Sequence, residues 1–424
     1  MTRLWMLWLT IPACFGQPAV LTLAEAEAEA LRRHPGVAAA ELTAAAQAET
    51  PRQVRSALAP QIGGAASGTG ATDRARIAAG QLQNPIIFSR LGMGGNFNQL
   101  LYDGGRTKLL AQGAEARARS EKENANTTRA QVLLQVRQAY LNGLRAQAVL
   151  RVAEQTVAAR ELVLEQVTAM TNANLKSGLD LSFAQVAVSE AKLLVAQAEN
   201  EAQGAAADLA AAMGMREPAA YSLAEPPALA PLPAAVKELL PEALRQRPEL
   251  AARRLEREAA QRLLAAEGRL TQPTVTAVGA AGVTPLHVAG IEHSYYAAAG
   301  VVVNLNFLNG GMFSARRREA ELRARAAEQR VQELENRVVR DVTVAWLNVR
   351  TAAERRELTE QLRARSVQAF ELAQARYELG LSSIVEVSQA QLARTAAELQ
   401  QAAARYDYLA QRAALAFHLG AEFK

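Results

Sequence analysis

The sequence repeats itself, and this repetition limits how the chain can fold. Two pairs lie 213 residues apart: "ALRRHPGVAAA" (Ala30 to Ala40) with "ALRQRPELAAR" (Ala243 to Arg253), and Pro60 with Pro273. Three later pairs lie 206 apart: Gly104 with Gly310, "VRQAYLN" from Val136 with "VTVAWLN" from Val342, and Gly214 with Gly420. The pattern predicts a tandem duplication. The offsets differ by 213 minus 206, or seven residues, so we expect an exposed loop between the proline and glycine pairs.

Each half carries a segment with the period of a β-strand. In the second half, one face collects Tyr295, Ala297, Ala299, Val301, Val303, Leu305 and Phe307, and the other collects Ser294, Asn304 and Asn306. In the first half, Met93, Phe97 and Leu101 oppose Asn96 and Asn98, although Gln99 interrupts the apolar side. Weaker strands are predicted at Ile62 to Gly70 and Thr274 to Thr284. Each half therefore supplies one hairpin.

After each hairpin the period becomes helical. Apolar residues step by three or four at Val331, Leu334, Val338, Val342, Ala345 and Val349. The first half has no proline from Gly105 to about Asn174, which allows a helix on the order of 100 Å long at about 1.5 Å per residue. "LKSGLDL" and "YELGLSS" are predicted to reverse the helices, with Gly178 and Gly380 at positive φ. An earlier helix at 22–57 is expected to break at His34, before Pro35.

The same short motif joins strand to helix in both halves. "LLYDGGR" contains Asp103, Gly104 and Gly105, and "NFLNGGM" contains Asn309, Gly310 and Gly311. Asp103 or Asn309 is expected to cap the first helical turn, and the glycines permit the sharp change in backbone direction. One such turn alone would be ordinary, but two at matching distances predict a repeated junction.

The N-terminus has the pattern of an export signal. Arg3 precedes the apolar "LWMLWLTIPA", and small residues follow, which predicts a signal peptide at 1–16. Cys14 is the only cysteine, so cleavage after Gly16 would leave no thiol. The alternative is a lipoprotein site at "IPAC" with Cys14 acylated, although Pro12 is unfavourable there. No later run of about 18 apolar residues predicts a membrane-spanning helix.

Composition and motifs argue against an enzyme or a nucleic-acid-binding protein. The formal charge is +5, and basic residues are mixed with acids along helical runs, so no nucleic-acid partner is expected. The four histidines are scattered; His287 and His293 bracket a turn but lack further ligands, so no metal is predicted. "GGAASGTG" lacks the lysine of a phosphate-binding loop. We expect no catalytic residue and no cofactor.

Four strands with an apolar face predict assembly of several chains. Open sheet edges in lipid would leave backbone groups unpaired, so the chains must share one closed barrel. Two, three or four copies would give eight, twelve or sixteen strands, and the strand pattern does not choose among them.

The exported duplication, the two glycine junctions, the "ALxxxP" openings and the "GL" reversals together resemble the TolC family of outer-membrane efflux proteins. The resemblance implies a mainly α fold with β: a trimeric β-barrel, four strands per chain, continuing into a long periplasmic α-helical barrel. The predicted organisation is a signal peptide (1–16), a first repeat (17–214, hairpin about 58–103, helical hairpin about 105–214), a proline-rich linker (215–236) and a second repeat (237–424, hairpin about 271–308, helical hairpin about 311–420).

The resemblance also implies a periplasmic aperture. The family often has acidic residues six and nine positions after the reversal glycine, which here is Gly380. The sixth position is Glu386 and the ninth is Gln389, so one carboxylate ring is expected and not two. Tyr377 matches an aromatic residue that in some family members forms a hydrogen bond to an acidic residue of the other hairpin. In this sequence Ala184 stands at the position of that acid, and Ser382 stands at the position of the family's basic residue. Because these partners are absent, Tyr377 is alternatively a packing residue, and Glu386 a solvated carboxylate. Asp180 and Arg376 are a candidate substitute pair.

The family further implies partners. The hairpin tips, Gly178 with Leu179 and Gly380 with Leu381 and Ser382, resemble ends that contact a periplasmic adaptor protein. The expected partners are two further copies of the chain, an adaptor, an inner-membrane pump of RND, ABC or MFS type, and outer-membrane lipid. The predicted function is a passive exit duct for efflux or type I secretion. The alternatives are a periplasmic adaptor or a coiled-coil structural protein of the envelope.

Overall fold

The computed structural model describes residues 20–70, 89–217, 221–227, 235–286 and 293–420. The predicted signal peptide, Cys14 and His287 lie outside these residues. The helices are α1 (Leu23–Arg33), α2 (Pro35–Arg55), α3 (Arg106–Asn172), α4 (Gly178–Ala212), α5 (Leu240–Gln246), α6 (Pro248–Glu267), α7 (Met312–Glu378) and α8 (Ile384–Leu419). The strands are β1 (Val20–Leu21), β2 (Gln61–Thr69), β3 (Arg90–Tyr102), β4 (Ser222–Leu223), β5 (Thr274–Leu286) and β6 (Tyr295–Asn304).

The first helices begin and end where their sequence directs. Thr22 and Glu25 form a capping box at the start of α1, which satisfies backbone N–H groups of the first turn. His34 is in extended conformation because Pro35 follows it, and Pro35 opens α2. The predicted break inside 22–57 is therefore present.

The two longest helices occupy equivalent places in the halves. α3 and α7 contain 67 residues each, which corresponds to about 100 Å of helix for each. Neither sequence contains a proline, so the hydrogen-bond ladder runs without the break that proline imposes. Each is followed, after a short turn, by a second helix of about half its length, α4 or α8.

Four strands form one antiparallel sheet in the order β2-β3-β5-β6, and β2 and β6 are its edges. Pairing of Met93 with Val283, and of Val283 with Tyr295, places apolar side chains in rows on one face. The opposite face carries Asn96 and Asn98, together with Tyr296 and Val302. Many residues of the apolar face are exposed in the single chain: Ile62, Met93, Leu101, Val283, Tyr295, Val301 and Val303. The sheet therefore has one apolar face with nothing packed on it from the described chain.

Two details of the strand prediction differ in the structure. The predicted alternation of the second half extends to Leu305 and Phe307, but β6 ends at Asn304, so these two residues lie beyond the sheet. Register shifts in β3 occur between Leu91 and Met93 and between Leu100 and Tyr102. The second shift follows directly after Gln99, the residue that interrupts the apolar side.

The described residues form two compact units, and each draws on both halves of the sequence. Unit 1 contains segments 20–39, 127–247 and 338–420. Its core packs Val136, Tyr140 and Leu144 of α3 with residues of α1, α4 and α8. The hydroxyl of Tyr140 lies 2.8 Å from the carbonyl oxygen of Leu21 and 2.7 Å from that of Ala224, and it donates its hydrogen to one at a time. This side chain holds together the parallel pair β1 and β4.

The linker predicted at 215–236 contributes to unit 1. It contains β4, which pairs with β1, and Glu225, whose carboxylate accepts a hydrogen bond of 2.5 Å from the hydroxyl of Tyr406. Arg405 donates to the same carboxylate at 2.9 Å. Burial, followed by the bond to Glu225, raises the pKa of Tyr406 to about 12.

Unit 2 contains segments 40–126 and 248–337, and hence the four-stranded sheet. Among its described carboxylates the best buried is that of Glu267, at the end of α6, whose side chain is 6% exposed. Glu267 Oε1 accepts hydrogen bonds of 3.1 Å from both Arg106 and Arg316. Arg316 Nε also lies 2.8 Å from Oε2, within ion-pair distance. One carboxylate therefore ties the start of α3 to the start of α7.

Candidate functional site: the helical hairpin tips and the strand-to-helix junctions

The turn between α7 and α8 follows the prediction. Gly380 has a φ of +74°, and the backbone N–H of Leu381 donates to the carbonyl of Arg376 at 2.8 Å, which closes the last turn of α7. Ser383 then caps α8 by accepting from the backbone N–H of Glu386 at 3.4 Å.

The turn between α3 and α4 is built differently from the prediction. Asn174, with a φ of 57°, adopts the left-handed conformation, and Leu175 N–H closes the turn on Met170 O at 2.9 Å. Gly178 is instead the first residue of α4, after the capping residue Ser177. The prediction that Gly178 ends the helix at positive φ is therefore wrong. Asparagine is, after glycine, the residue that most readily adopts this conformation.

The corrected turn restores the repeat. Gly380 and Asn174 differ by 380 minus 174, or 206, which is the offset of the surrounding helices. The residue six positions after Asn174 is Asp180, so it corresponds to Glu386, and Ala184 does not. Each occupies the same place in the first turn of its helix, three residues after the capping serine. The first turns of α4 and α8 therefore each carry a carboxylate at the same position.

Tyr377 packs in a small hydrophobic cluster between the two hairpins. The cluster contains Val167, Ala184, Phe370, Tyr377, Ile384 and Val387. Among the described residues the Tyr377 hydroxyl has no hydrogen-bond partner, and burial, with a smaller effect of Asp180, raises its pKa. Lys176 Nζ lies 3.9 Å from the centre of the ring. The geometry thus fits a packing residue with a cation above it.

The charged residues of the tips are partly compensated within their own hairpins. Arg376 Nε lies 3.4 Å from Glu386 Oε1, so Arg376 pairs with Glu386 and not with the predicted Asp180. The Asp180 carboxylate accepts from Ser177 N at 3.0 Å and Ser177 Oγ at 2.8 Å. Both members of the Arg376–Glu386 pair are about half exposed, so solvent screens their attraction.

The remaining predicted aperture residues lie on the same short stretch. Gln389 is exposed and follows Glu386 by three residues, so both side chains share one face of α8. Ser382 Oγ donates to Ala373 O at 3.5 Å, and thus contacts the last turns of α7.

Exposed leucines surround the two turns. Leu179 and Leu381, predicted from the sequence, are 65% and 67% exposed. Leu175 and Leu379, at 73% and 74%, were not predicted. The offset of 206 could have identified Leu175, because 381 minus 206 is 175. Each tip therefore presents two leucines to solvent.

At the strand-to-helix junctions the two motifs share backbone conformation but differ in capping. Gly104 and Gly105 have φ of +68° and +80°, and Gly310 and Gly311 have +60° and +84°. Asp103 accepts from Gly105 N at 3.0 Å and from Thr107 N at 2.6 Å, as a capping carboxylate does. Asn309 contributes through its backbone carbonyl, which accepts from Met312 N at 3.1 Å.

The family of the chain follows from its sequence. A family model described as outer membrane efflux protein matches residues 28–215 and 239–421. The chain belongs to the outer membrane efflux protein family. The two matched stretches contain one half of the duplication each, so each half by itself has the pattern of this family.

Solved structures with the same fold are channels or membrane proteins. A membrane protein from Pseudomonas aeruginosa is 22% identical, with a TM-score of 0.80 and coverage of 94% of this chain and 93% of that one. VceC from Vibrio cholerae is 18% identical, with a TM-score of 0.77 and coverage of 95% and 97%. The open state of the MtrE channel of Neisseria gonorrhoeae is 20% identical, with a TM-score of 0.79 and coverage of 95% and 89%. No curated protein matches the sequence significantly.

These comparisons confirm the predicted TolC-family resemblance and fold class. By its family, the chain is an outer-membrane protein. The family is one of efflux proteins, and MtrE among the structural neighbours is a channel. Within the part of the chain that the structure describes, no group of three histidine, cysteine or acidic side chains is placed to hold a metal, and no helix is both long and apolar enough to cross a membrane.

Proposed function

We propose that this efflux protein is the passive exit duct of a tripartite efflux or type I secretion system, with three copies sharing one barrel. The observation that carries the proposal is the four-stranded sheet. It has an apolar face exposed in the single chain and two edge strands, β2 and β6, each with one unpaired side among the described residues. Backbone groups at such edges need partners before they can lie in lipid.

Further copies of the same chain supply those partners most simply. If β6 of one copy pairs with β2 of the next, the edges close and the apolar faces form a continuous lipid-facing surface. The face with Asn96 and Asn98 then lines the interior. Strand counts alone allow eight, twelve or sixteen strands, and the TolC-family resemblance favours three copies with twelve.

The hairpin tips are proposed to contact a periplasmic adaptor, which connects the duct to an inner-membrane pump of RND, ABC or MFS type. Four exposed leucines per chain support this assignment, because isolated apolar side chains beside a tight turn suit contact with another helical hairpin. The sequence contains no nucleotide-binding motif, so the pump supplies the energy. Outer-membrane lipid is proposed to surround the barrel. The two proposed structural repeats of the chain are segments 17–214 and 237–424.

Glu386, Gln389, Tyr377 and Ser382 are proposed to form the periplasmic aperture, with Glu386 as its charged ring. In threefold symmetry three Glu386 carboxylates would attract cations into a narrow passage. Arg376, 3.4 Å from Glu386, offsets part of this charge. We therefore expect Glu386→Gln to lower cation selectivity and Arg376→Gln to raise it, as measured from reversal potentials of single channels. Equal selectivity in both variants and in the unmodified protein would remove Glu386 from the aperture.

Extraction behaviour distinguishes the duct from the alternative of a soluble adaptor. We expect the protein to remain in the outer-membrane fraction after washes with carbonate or urea, and to migrate as an oligomer in detergent gels unless heated. Release into the soluble fraction by carbonate would contradict the barrel. Cys14 is the only cysteine of the sequence. Disulfide cross-linking between single cysteines introduced into β2 and β6 would therefore report directly on contact between copies.

A further inference from the structure

Unit 2 contains a cavity of about 310 Å³ between α3, α6 and α7. Four arginines line it: Arg117 from α3, Arg253 from α6, and Arg323 and Arg330 from α7. The lining contains a single carboxylate, that of Glu256, and three alanines whose short side chains leave the cavity open.

The positive charge of this cavity is only partly compensated. Glu256 is engaged by Arg253, at 2.7 Å. Arg323 pairs with Glu319 at 2.6 Å. Within the described ranges, neither Arg117 nor Arg330 has an ion-pair partner. The side chains of Arg117 and Arg330 are solvent-exposed and line the same cavity, and no described carboxylate pairs with either of them.

Arginine-rich composition by itself does not explain this imbalance, because neighbouring arginines of the same helices are paired. Arg254, the next residue after Arg253, binds Glu335 at 2.8 Å. One turn later, Arg257 lies 3.2 Å from Glu328. Glutamates of α7 thus compensate α6 arginines at these positions, whereas at the cavity α7 supplies Arg323 and Arg330.

We propose that this cavity binds a soluble phosphate-bearing anion. Guanidinium groups bind phosphate through paired N–H donors, and an anion with several charges can engage arginines from different helices at once. A volume of about 310 Å³ is enough for a phosphate or pyrophosphate group together with hydration water. A bound anion would bridge α3, α6 and α7.

The position along the helices favours a solute over a lipid headgroup. Arg117 lies 11 residues after Arg106, the first residue of α3, or about 17 Å along the helix. Arg330 lies 18 residues after Met312, the first residue of α7, or about 27 Å along it. The headgroup layer of a bilayer is only about 5–7 Å thick on each side. If the strands span the bilayer, a lipid phosphate reaches neither arginine.

Calorimetric titration of the full-length protein in phospholipid-free detergent with inorganic pyrophosphate tests the proposal. The double variant Arg117→Gln with Arg330→Gln is expected to bind at least about tenfold more weakly, since two charge-assisted contacts are lost. The control, Arg318→Gln with Arg337→Gln, removes the same charge from exposed α7 positions outside the cavity lining and is expected to bind within about twofold of the unmodified protein. Circular dichroism checks that both variants fold.

Each outcome has a definite meaning. Saturable binding that is lost only in the cavity variant supports the site. Equal affinity of the two double variants, or no saturation of the unmodified protein, overturns it. In nanodiscs, competition by phosphatidylglycerol but not phosphatidylcholine would assign the phosphate to a headgroup and overturn the choice of a soluble anion. These measurements are independent of channel activity and of the number of copies.

Discussion

Replacing Glu267 by glutamine is expected to destabilise the protein by about 3 kcal/mol. The side chain is 6% exposed and is contacted by Arg106 and Arg316. Glutamine keeps the shape of the side chain but removes the charge that both guanidinium groups face. The change therefore tests whether this carboxylate holds together the starts of α3 and α7.

The magnitude follows from the exposure of the two arginines. Arg106 is 28% exposed, and its Nε is buried with no hydrogen-bond partner among the described residues. We therefore assign its bond to Glu267 the value of a hydrogen bond to a charged group, about 1.5–3 kcal/mol. Arg316 is 44% exposed and can turn to water, so its contribution is reduced to about 0.5 kcal/mol.

The assay is urea unfolding of the detergent-solubilised protein, followed by circular dichroism at a helix wavelength and approached from both directions to establish reversibility. The control is Glu333→Gln, whose carboxylate is 67% exposed and pairs with Arg337 one turn away. An exposed pair of this kind contributes less than about 1 kcal/mol. If Glu267→Gln lowers the free energy of unfolding no more than Glu333→Gln does, the reasoning about the buried network is wrong.

Three further predictions concern unit 1. Because folding raises the pKa of Tyr406 from 10.0 to about 12, the stability that this side chain contributes is complete below pH 10 and is lost as the pH rises from about 10 to 12. The melting temperature of Tyr406→Phe should therefore change less with pH in that range than that of the unmodified protein, and equal changes in the two proteins would contradict this. Gly380→Ala should lower the free energy of unfolding by about 1–2 kcal/mol because alanine is strained at a φ of +74°, whereas Asn174→Gly should leave it unchanged or raise it. Equal losses of stability in the two variants, measured in the same melts, would refute the assignment of the two turns. Tyr377→Phe should leave single-channel conductance unchanged, because the hydroxyl has no hydrogen-bond partner among the described residues; an increase would show that the hydroxyl helps to close the aperture.

The large elements could be predicted because each depends on a local pattern repeated over many residues. The helical seam around Val338 and the alternation around Val301 extend far enough to identify helix and strand. The alternation does not reveal where strand pairing stops: it predicts a strand through Leu305 and Phe307, whereas β6 ends at Asn304. β4, with two residues, is too short to have a period.

The errors at the tips and the omissions in unit 2 have different physical origins. "NANLKSGLD" offers both Asn174 and Gly178 as candidates for the left-handed residue, and the stronger conformational preference of glycine favours Gly178. The repeat offset would have selected Asn174. The Glu267 network joins residues 161 and 49 positions apart, and no local pattern predicts such contacts. The cavity arginines likewise come from three separate helices.

The central claim is that several copies close one barrel around a conducting passage. The most direct test is planar-bilayer conductance of the purified, detergent-extracted protein, with its mass determined by native mass spectrometry in the same preparation. The proposal predicts the mass of three chains, with a small conductance that is selective for cations. A water-soluble single chain without channel activity would contradict the barrel, and a stable assembly of two or four chains would contradict the trimer.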